Sequence, residues 1–225
     1  MTGSESTVAR LRDHLGSLPI FPLTEAVLFP GAVLPLHIFE PRYREMVRDA
    51  RDGGLPIAIA MLRAGAVDET DPPVVRPTAG AGFIQTLEEL PDGRFLIELR
   101  GVARVHFDRE HPPERAYRCV KATLMQESPI DEVVEAERLA TLRLLLVALR
   151  NSYPRAAASL VDLVGDRRHA SEVADLLASA TIADPERRQS LLEELDPVRR
   201  IDTIIHHLGE VLARLTHHGN INELN

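Results

Sequence analysis

The stretch Leu18–Tyr43, LPIFPLTEAVLFPGAVLPLHIFEPRY, decides how the first half of the chain folds. It is strongly apolar, yet proline recurs at positions 19, 22, 30, 35 and 41. Each proline removes a backbone donor and biases the residue before it toward extended geometry. A helix does not survive such spacing, so the segment reads as short strands over 18–23 and 33–39, joined by turns. Pro30-Gly31 has type II turn character, the glycine supplying the positive φ. Pro41 suits the first turn of a helix over 41–50, in which Tyr43, Met46, Val47 and Ala50 share a face and Gly53-Gly54 act as the stop.

Upstream, residues 1–16 are polar, carry no apolar signal-peptide core, and read as a flexible, loosely helical N-terminus. Downstream, Leu55–Leu62 is a continuous apolar strand. A loop from Arg63 to Thr78 follows, carrying Asp68, Glu69, Asp71 and Pro72-Pro73, and reads as exposed and mobile. Ala79–Leu90 is a strand whose glycines permit close backbone approach or a bulge. Pro91-Asp92-Gly93 marks a hairpin. Phe95–Arg100 alternates, with Phe95, Ile97 and Leu99 facing one way and Leu96, Glu98 and Arg100 the other. Val102–Phe107 and Ala116–Met125 complete the strands, which together imply a small closed or nearly closed barrel-like unit.

The pattern changes at Ser128-Pro129. Ser128 is placed to cap a helix, with Asp131 and Glu132 favouring its dipole, and Val133–Arg150 has a broad leucine face. Further helices read over Arg155–Val164, Glu172–Ala180 capped by Ser171, Pro185–Leu195, and from Pro197 to a stop at Gly219. The Leu-rich faces read as core first and partner-facing surface second. The fold class is therefore α+β, in four parts: a flexible N-terminus to 16, a β-barrel domain over 17–126, an α-helical subdomain over 127–219 and a tail over 220–225.

Composition bounds the function. A chain of 225 residues with 44% hydrophobic and 27% charged residues has the makeup of a soluble globular protein. A net charge of −8 argues against a general nucleic-acid binder. Cys119 is the single cysteine, so an internal disulfide is excluded and a reducing compartment is implied. No apolar run reaches the ~20 residues of a membrane helix. These features read together as a cytoplasmic protein.

Phe21-Pro22-Leu23, Leu28-Phe29-Pro30-Gly31, Leu34–Glu40 (LPLHIFE) and Pro41-Arg42-Tyr43-Arg44 resemble, in order and spacing, the opening of the Lon N-terminal substrate-binding domain. Ala174–Ala178 (ADLLA), Leu191–Pro197 (LLEELDP) and Arg199-Arg200-Ile201 resemble the helical subdomain that follows the barrel in that family. The similarity covers roughly Leu18–Leu215 and is to the standalone form of the domain. It implies a PUA-like pseudo-β-barrel with one short helix, a C-terminal helical bundle, and non-catalytic recognition of polypeptide segments as an adaptor or a holder of unfolded chains. A small-molecule-binding module of the cereblon-like type is the alternative. RNA binding, suggested only by the barrel class, ranks last.

No G-x-x-x-x-G-K-[ST] run occurs, so a phosphate-cradling loop is missing from this sequence. Lys121 is the only lysine, and no serine neighbours it in sequence to form a Ser-Lys dyad. A peptidase designation would thus describe ancestry rather than chemistry, and no catalytic residue and no cofactor is assigned. Nor is a metal site assigned. His207 and His218 share a helix face but stand about 16 Å apart, and the neighbours His206 and His207 point in different directions. Asp131, Glu132, Glu135 and Glu137 read as a solvated helix start. Cys119, alternating within a strand, reads as an inert thiol.

His37, Phe39, Glu40, Arg42 and Tyr43 are the candidate binding residues, set where strand turns into helix beside a large apolar run. The plain structural reading has Glu40 and Arg42 tying that corner together and Tyr43 packing with its hydroxyl satisfied. The functional reading has Phe39 and Tyr43 lining an apolar groove, with Arg42 meeting a carboxylate of a bound peptide. The sequence fixes no oligomeric state.

Overall fold

In a computed structural model, residues 3–63 and 73–222 are described. The chain divides into two compact units, Met1–Gln126 with Ala183–Glu193, and Glu127–Ile182 with Glu194–Asn225.

The first unit is built on six strands: β1 (Leu18–Leu23), β2 (Val33–Ile38), β3 (Ile57–Met61), β4 (Thr78–Glu89), β5 (Phe95–Glu110) and β6 (Cys119–Leu124). Their order is β2-β5-β4-β3-β1-β6, and β6 also pairs with β5. The ring β5-β4-β3-β1-β6 therefore closes on itself, with β1 and β3 parallel and the other pairs antiparallel. The 16-residue β5 makes closure possible. Its first half carries β2 as an extra strand and its second half takes β6, while β4 follows it on the other edge. Sequence reading places two strands here, broken at Gly101. The structure runs one strand through that residue, with register shifts absorbing the bend.

Gly101 has a separate reason to be glycine. The loop before β2 crosses it, Gly31 donating to its carbonyl and Gly101 donating to that of Ala32, both at 2.9 Å. A Cβ at Gly101 would run into the Phe29 carbonyl. Gly31 itself holds φ 78°, as the Pro30-Gly31 turn requires.

Two apolar clusters follow from alternation. Leu18, Ile20, Ala58, Ala60, Ala79, Ala81, Val105, Val120 and Ala122 draw on all five ring strands and fill the barrel. Their small size suits a narrow ring. The alternate residues Phe21, Ile57 and Ile59, with Phe95, Ile97 and Leu99, form a second cluster. It is covered by helix α2 (Pro41–Gly53) through Tyr43, Met46, Val47 and Ala50, the face its spacing predicts. Strands used on both faces explain the unbroken apolar runs of β1 and β3.

The N-terminus differs from its reading as a flexible segment. Gly3–Asp13 form helix α1, and Leu11 is fully buried against the barrel-filling cluster. Arg10 stacks over Phe83 at 4.1 Å and donates to the Gly54 carbonyl at 3.1 Å. One buried leucine and one anchored arginine outweigh a polar composition. Part of the 63–78 loop, residues 64–72, lies outside the described residues.

The second unit holds helices α3 (Glu132–Ser152), α4 (Pro154–Val164), α5 (Ala170–Thr181) and α7 (Pro197–Asn222). Asp131, not Ser128, caps α3, its Oδ1 accepting from the Val133 and Val134 amides at 2.9 and 3.2 Å. Ser171 does not cap α5. It lies inside the first turn and bonds Glu127 and Arg200 instead. Helix α7 continues past Gly219, since a single glycine costs a helix only about 1 kcal/mol. The 1%-exposed Arg200 bridges this unit, facing Glu127 and Asp175 and donating to the Glu194 carbonyl at 2.8 Å.

The remaining helix, α6 (Pro185–Glu193), groups with the barrel although sequence reading places it inside the 127–219 helical subdomain. Polar bonds explain the return. Gln189 donates to the Thr78 carbonyl, Arg104 donates to the Leu192 carbonyl, and Arg76 pairs with Glu186.

Candidate apolar recognition face

Strand β2 alternates between cluster and surface. Leu34, Leu36 and Ile38 pair with Leu99, Ile97 and Phe95, and turn inward. Val33, Pro35 and His37 turn outward, opposite Arg100, Glu98 and Leu96. Beyond β5, Thr86 and Glu88 of β4 complete the cross-strand rows. The result is a mixed sheet face, in which Leu96, Glu98 and Arg100 of the central strand β5 lie beside Val33, Pro35 and His37 of β2, with Thr86 and Glu88 beyond Glu98 and Leu96. Leu96 is 42% exposed, and Phe39, just beyond β2, is 59% exposed with its ring 5.9 Å from that of His37. Glu98 is held by the Thr86 hydroxyl at 2.8 Å. A shallow cavity of about 550 Å³ lies over this face, with Pro35, His37, Glu88 and Leu96 in its lining.

The same strand forms the outer edge of the sheet. Pro35 at its middle removes a backbone donor, which blunts an edge against strand addition. The face therefore offers side chains rather than a backbone ladder.

The five residues singled out from sequence divide into three roles. His37 and Phe39 lie on the face. Glu40 and Arg42 clasp each other at 2.9–3.0 Å across the start of α2. Tyr43 is 5% exposed and stacks on Phe21 at 4.3 Å, with the Arg42 guanidinium over its ring at 4.6 Å. Burial pushes its phenol up, against the opposing pull of Arg42. Phe39 and Tyr43 thus lie on opposite sides of the surface boundary. Leu96 and its acidic neighbours were missed by the sequence reading of the site. Their signal was a leucine sharing its strand face with Glu98 and Arg100.

A second cavity, of about 650 Å³, adjoins the segment from Glu110 to Cys119. At its side Arg115 and the Tyr117 hydroxyl both donate to Asp49 Oδ2 at 2.7 Å. Burial, then the bond to Asp49, pushes the Tyr117 phenol well up. Burial also pushes the Cys119 thiol up, only partly offset by the Ser17 hydroxyl, which keeps it protonated and a poor nucleophile at neutral pH.

The other candidates described are not among the residues lining either cavity. Lys121 is exposed on β6, opposite Arg109. His206 is exposed and faces Glu210 at 3.2 Å, while buried His207 meets the Thr181 carbonyl at 3.2 Å. The side chains of His217 and His218 lie outside the described residues. Among the described residues no group of three or more His, Cys, Asp or Glu is arranged to hold a metal, and no helix is long and apolar enough to cross a membrane.

This fold is shared with solved Lon N-terminal domains. The N-terminal domain of a Mycobacterium avium complex Lon protease superposes with a TM-score of 0.68 at 20% identity, over 86% of this chain and 98% of that one. A Lon N-terminal domain protein from Xanthomonas campestris gives 0.56 at 23% identity, over 84% and 97%. The model of the ATP-dependent protease La (LON) substrate-binding domain matches residues 17–210, and the chain belongs to that family. Similar curated proteins are Lon protease 2 of Myxococcus xanthus, 25% identical over 189 residues, and Lon protease of Geobacter metallireducens, 24% identical over 194. The matches cover 84% and 86% of this chain but only 23% and 24% of those proteins, so the chain spans about a quarter of their length.

Proposed function

We propose that the chain is a non-catalytic recognition module for exposed polypeptide segments, an adaptor or holder, with its barrel of PUA-like kind and its helices forming a bundle. Its contact surface is the β2–β5–β4 face. The observation that carries this reading is Phe39: an aromatic ring left 59% exposed, 5.9 Å from the ring of His37, which together with Leu96 lines a shallow cavity, in a member of a substrate-binding domain family. Apolar side chains of an unfolded segment would shed water against Phe39 and Leu96. Glu88 and Glu98 would favour segments with basic flanks. Arg42, already clasped by Glu40, plays a smaller part than its sequence position implies.

Fluorescence anisotropy of a labelled, permanently unfolded casein tests it. Replacing Phe39 with serine in a correctly folded protein should weaken binding by at least about fivefold. Unchanged affinity would overturn the assignment of this face.

The Tyr117 cavity supports a second reading, a small-molecule-binding module. A polar Arg115–Asp49–Tyr117 cluster beside proline and cysteine walls has the mixed lining of a ligand site. Mass spectrometry of the purified protein under native conditions would reveal a retained compound.

A further inference from the structure

Helix α3 carries two apolar stripes, and among the described residues only one of them is buried. Leu139, Leu142, Leu146 and Leu149 are buried. On the other side Val133, Ala136, Ala140, Leu144 and Val147 are all exposed, with Val133 66%, Leu144 72% and Val147 53% accessible. At about 100° per residue these five fall within an arc of about 80°, a seam running about 21 Å along the helix. A narrow seam at 3- and 4-residue spacing is the pattern by which one helix meets another.

The order of residues in the seam says which helix. About Ala140 it is nearly a palindrome. Val133 and Val147 lie seven residues to either side, and Ala136 and Leu144 four residues to either side. In an antiparallel pair with Ala140 on the two-fold axis, Val133 opposes Val147 of the other copy. Each Leu144 enters the space left by an Ala136, and the two Ala140 residues let the backbones close up. Two of the flanking charges follow the same symmetry. Glu132 and Arg150 occupy one flank of the seam at opposite ends of the helix. Antiparallel docking brings each Glu132 to within about 3 Å of axial height of the second copy's Arg150. In a parallel pair these flanks fall on opposite sides of the seam, so Glu132 and Arg150 would not meet across it. Opposed helix dipoles add to the preference.

We propose that the exposed seam of α3 is a self-association surface, closing an antiparallel two-fold dimer of this chain about Ala140. The contact is isologous, so it ends at two copies. A single helix pair of this length lies at the low end of specific interfaces, below about 1,200 Å² in total, so the dimer exchanges at micromolar concentration. This surface lies on α3 and is independent of the β2–β5–β4 face.

Sedimentation equilibrium of the full chain up to about 500 µM tests the proposal, a range that covers weak specific dimers. A monomer–dimer equilibrium is expected. Leu144→Glu, at an exposed position, should weaken it at least about tenfold with unchanged circular dichroism. Glu132→Arg should weaken it, and adding Arg150→Glu should restore it. Geometry is read separately in a Cys119→Ser background under mild oxidation. Ala140→Cys should cross-link to itself. Val133→Cys should cross-link to Val147→Cys but not to itself. A protein that stays monomeric to the top of the range overturns the proposal. So does a dimer indifferent to Leu144→Glu, or one in which Val133→Cys cross-links to itself.

Discussion

Gln189 donates through Nε2 to the Thr78 carbonyl at 2.9 Å, joining residues 111 apart in sequence, both nearly inaccessible to water. Thr78 begins β4 and Gln189 sits in α6, so this bond helps fix a late helix to the barrel. The same amide nitrogen also donates to Glu193 at 2.8 Å. Gln189→Leu would leave the Thr78 carbonyl without that donor in a buried place. A loss of about 1–3 kcal/mol is expected. Urea denaturation should show a lower midpoint, while a substitution at the exposed Arg187 should leave it nearly unchanged.

Arg200 is the corresponding device in the helical unit. Its side chain is 1% exposed and lies 3.3 Å from Asp175, which is equally buried, with Glu127 on the other side. Removing the cation takes a partner from a buried carboxylate, at a cost of about 3–5 kcal/mol. Arg200→Leu is therefore expected to be far more damaging than replacement of the exposed Arg199. Comparing the unfolding midpoints of the two variants checks this directly.

Alkaline stability should depend on Tyr117. Its phenol is held protonated by burial and by Asp49, so its pKa in the folded state lies above that in the unfolded chain, which is about 10. A native state that binds the proton more tightly is stabilised below pH 10 and loses that contribution as pH rises above it. Tyr43 adds in the same direction. Denaturant midpoints should thus fall as pH rises above about 10, and Tyr117→Phe should flatten that fall. An equally steep fall in the variant would show that other groups dominate.

Much of this fold is legible in the sequence because prolines and glycines punctuate it. The strand boundaries of β1 to β3 and the buried face of α2 follow from Pro22, Pro41, Gly54 and the spacing of Tyr43, Met46, Val47 and Ala50. What stays hidden depends on partners distant in sequence. Gly101 looks like a strand break, and only the loop crossing it shows that a continuous β5 needs a residue without a Cβ there. Nothing local in PERRQSLLE separates α6 from its neighbours, because its attachment depends on Thr78 and Arg104. In the candidate site, the exposure of Phe39 rested on its place beside the strand–helix corner. Tyr43 belonged to the interior by its helical spacing alone, while Leu96 became part of the face only through its register with His37.

Receipt of unfolded segments on the β2–β5–β4 face should leave a footprint in backbone amide exchange. Hydrogen–deuterium exchange of the full chain, with and without saturating unfolded casein, addresses it most directly. Slowed exchange is expected in residues 33–40 and 84–98, with the segment 110–119 unaffected. Protection confined to 110–119, or absent from 33–40 while casein is demonstrably bound, would contradict it.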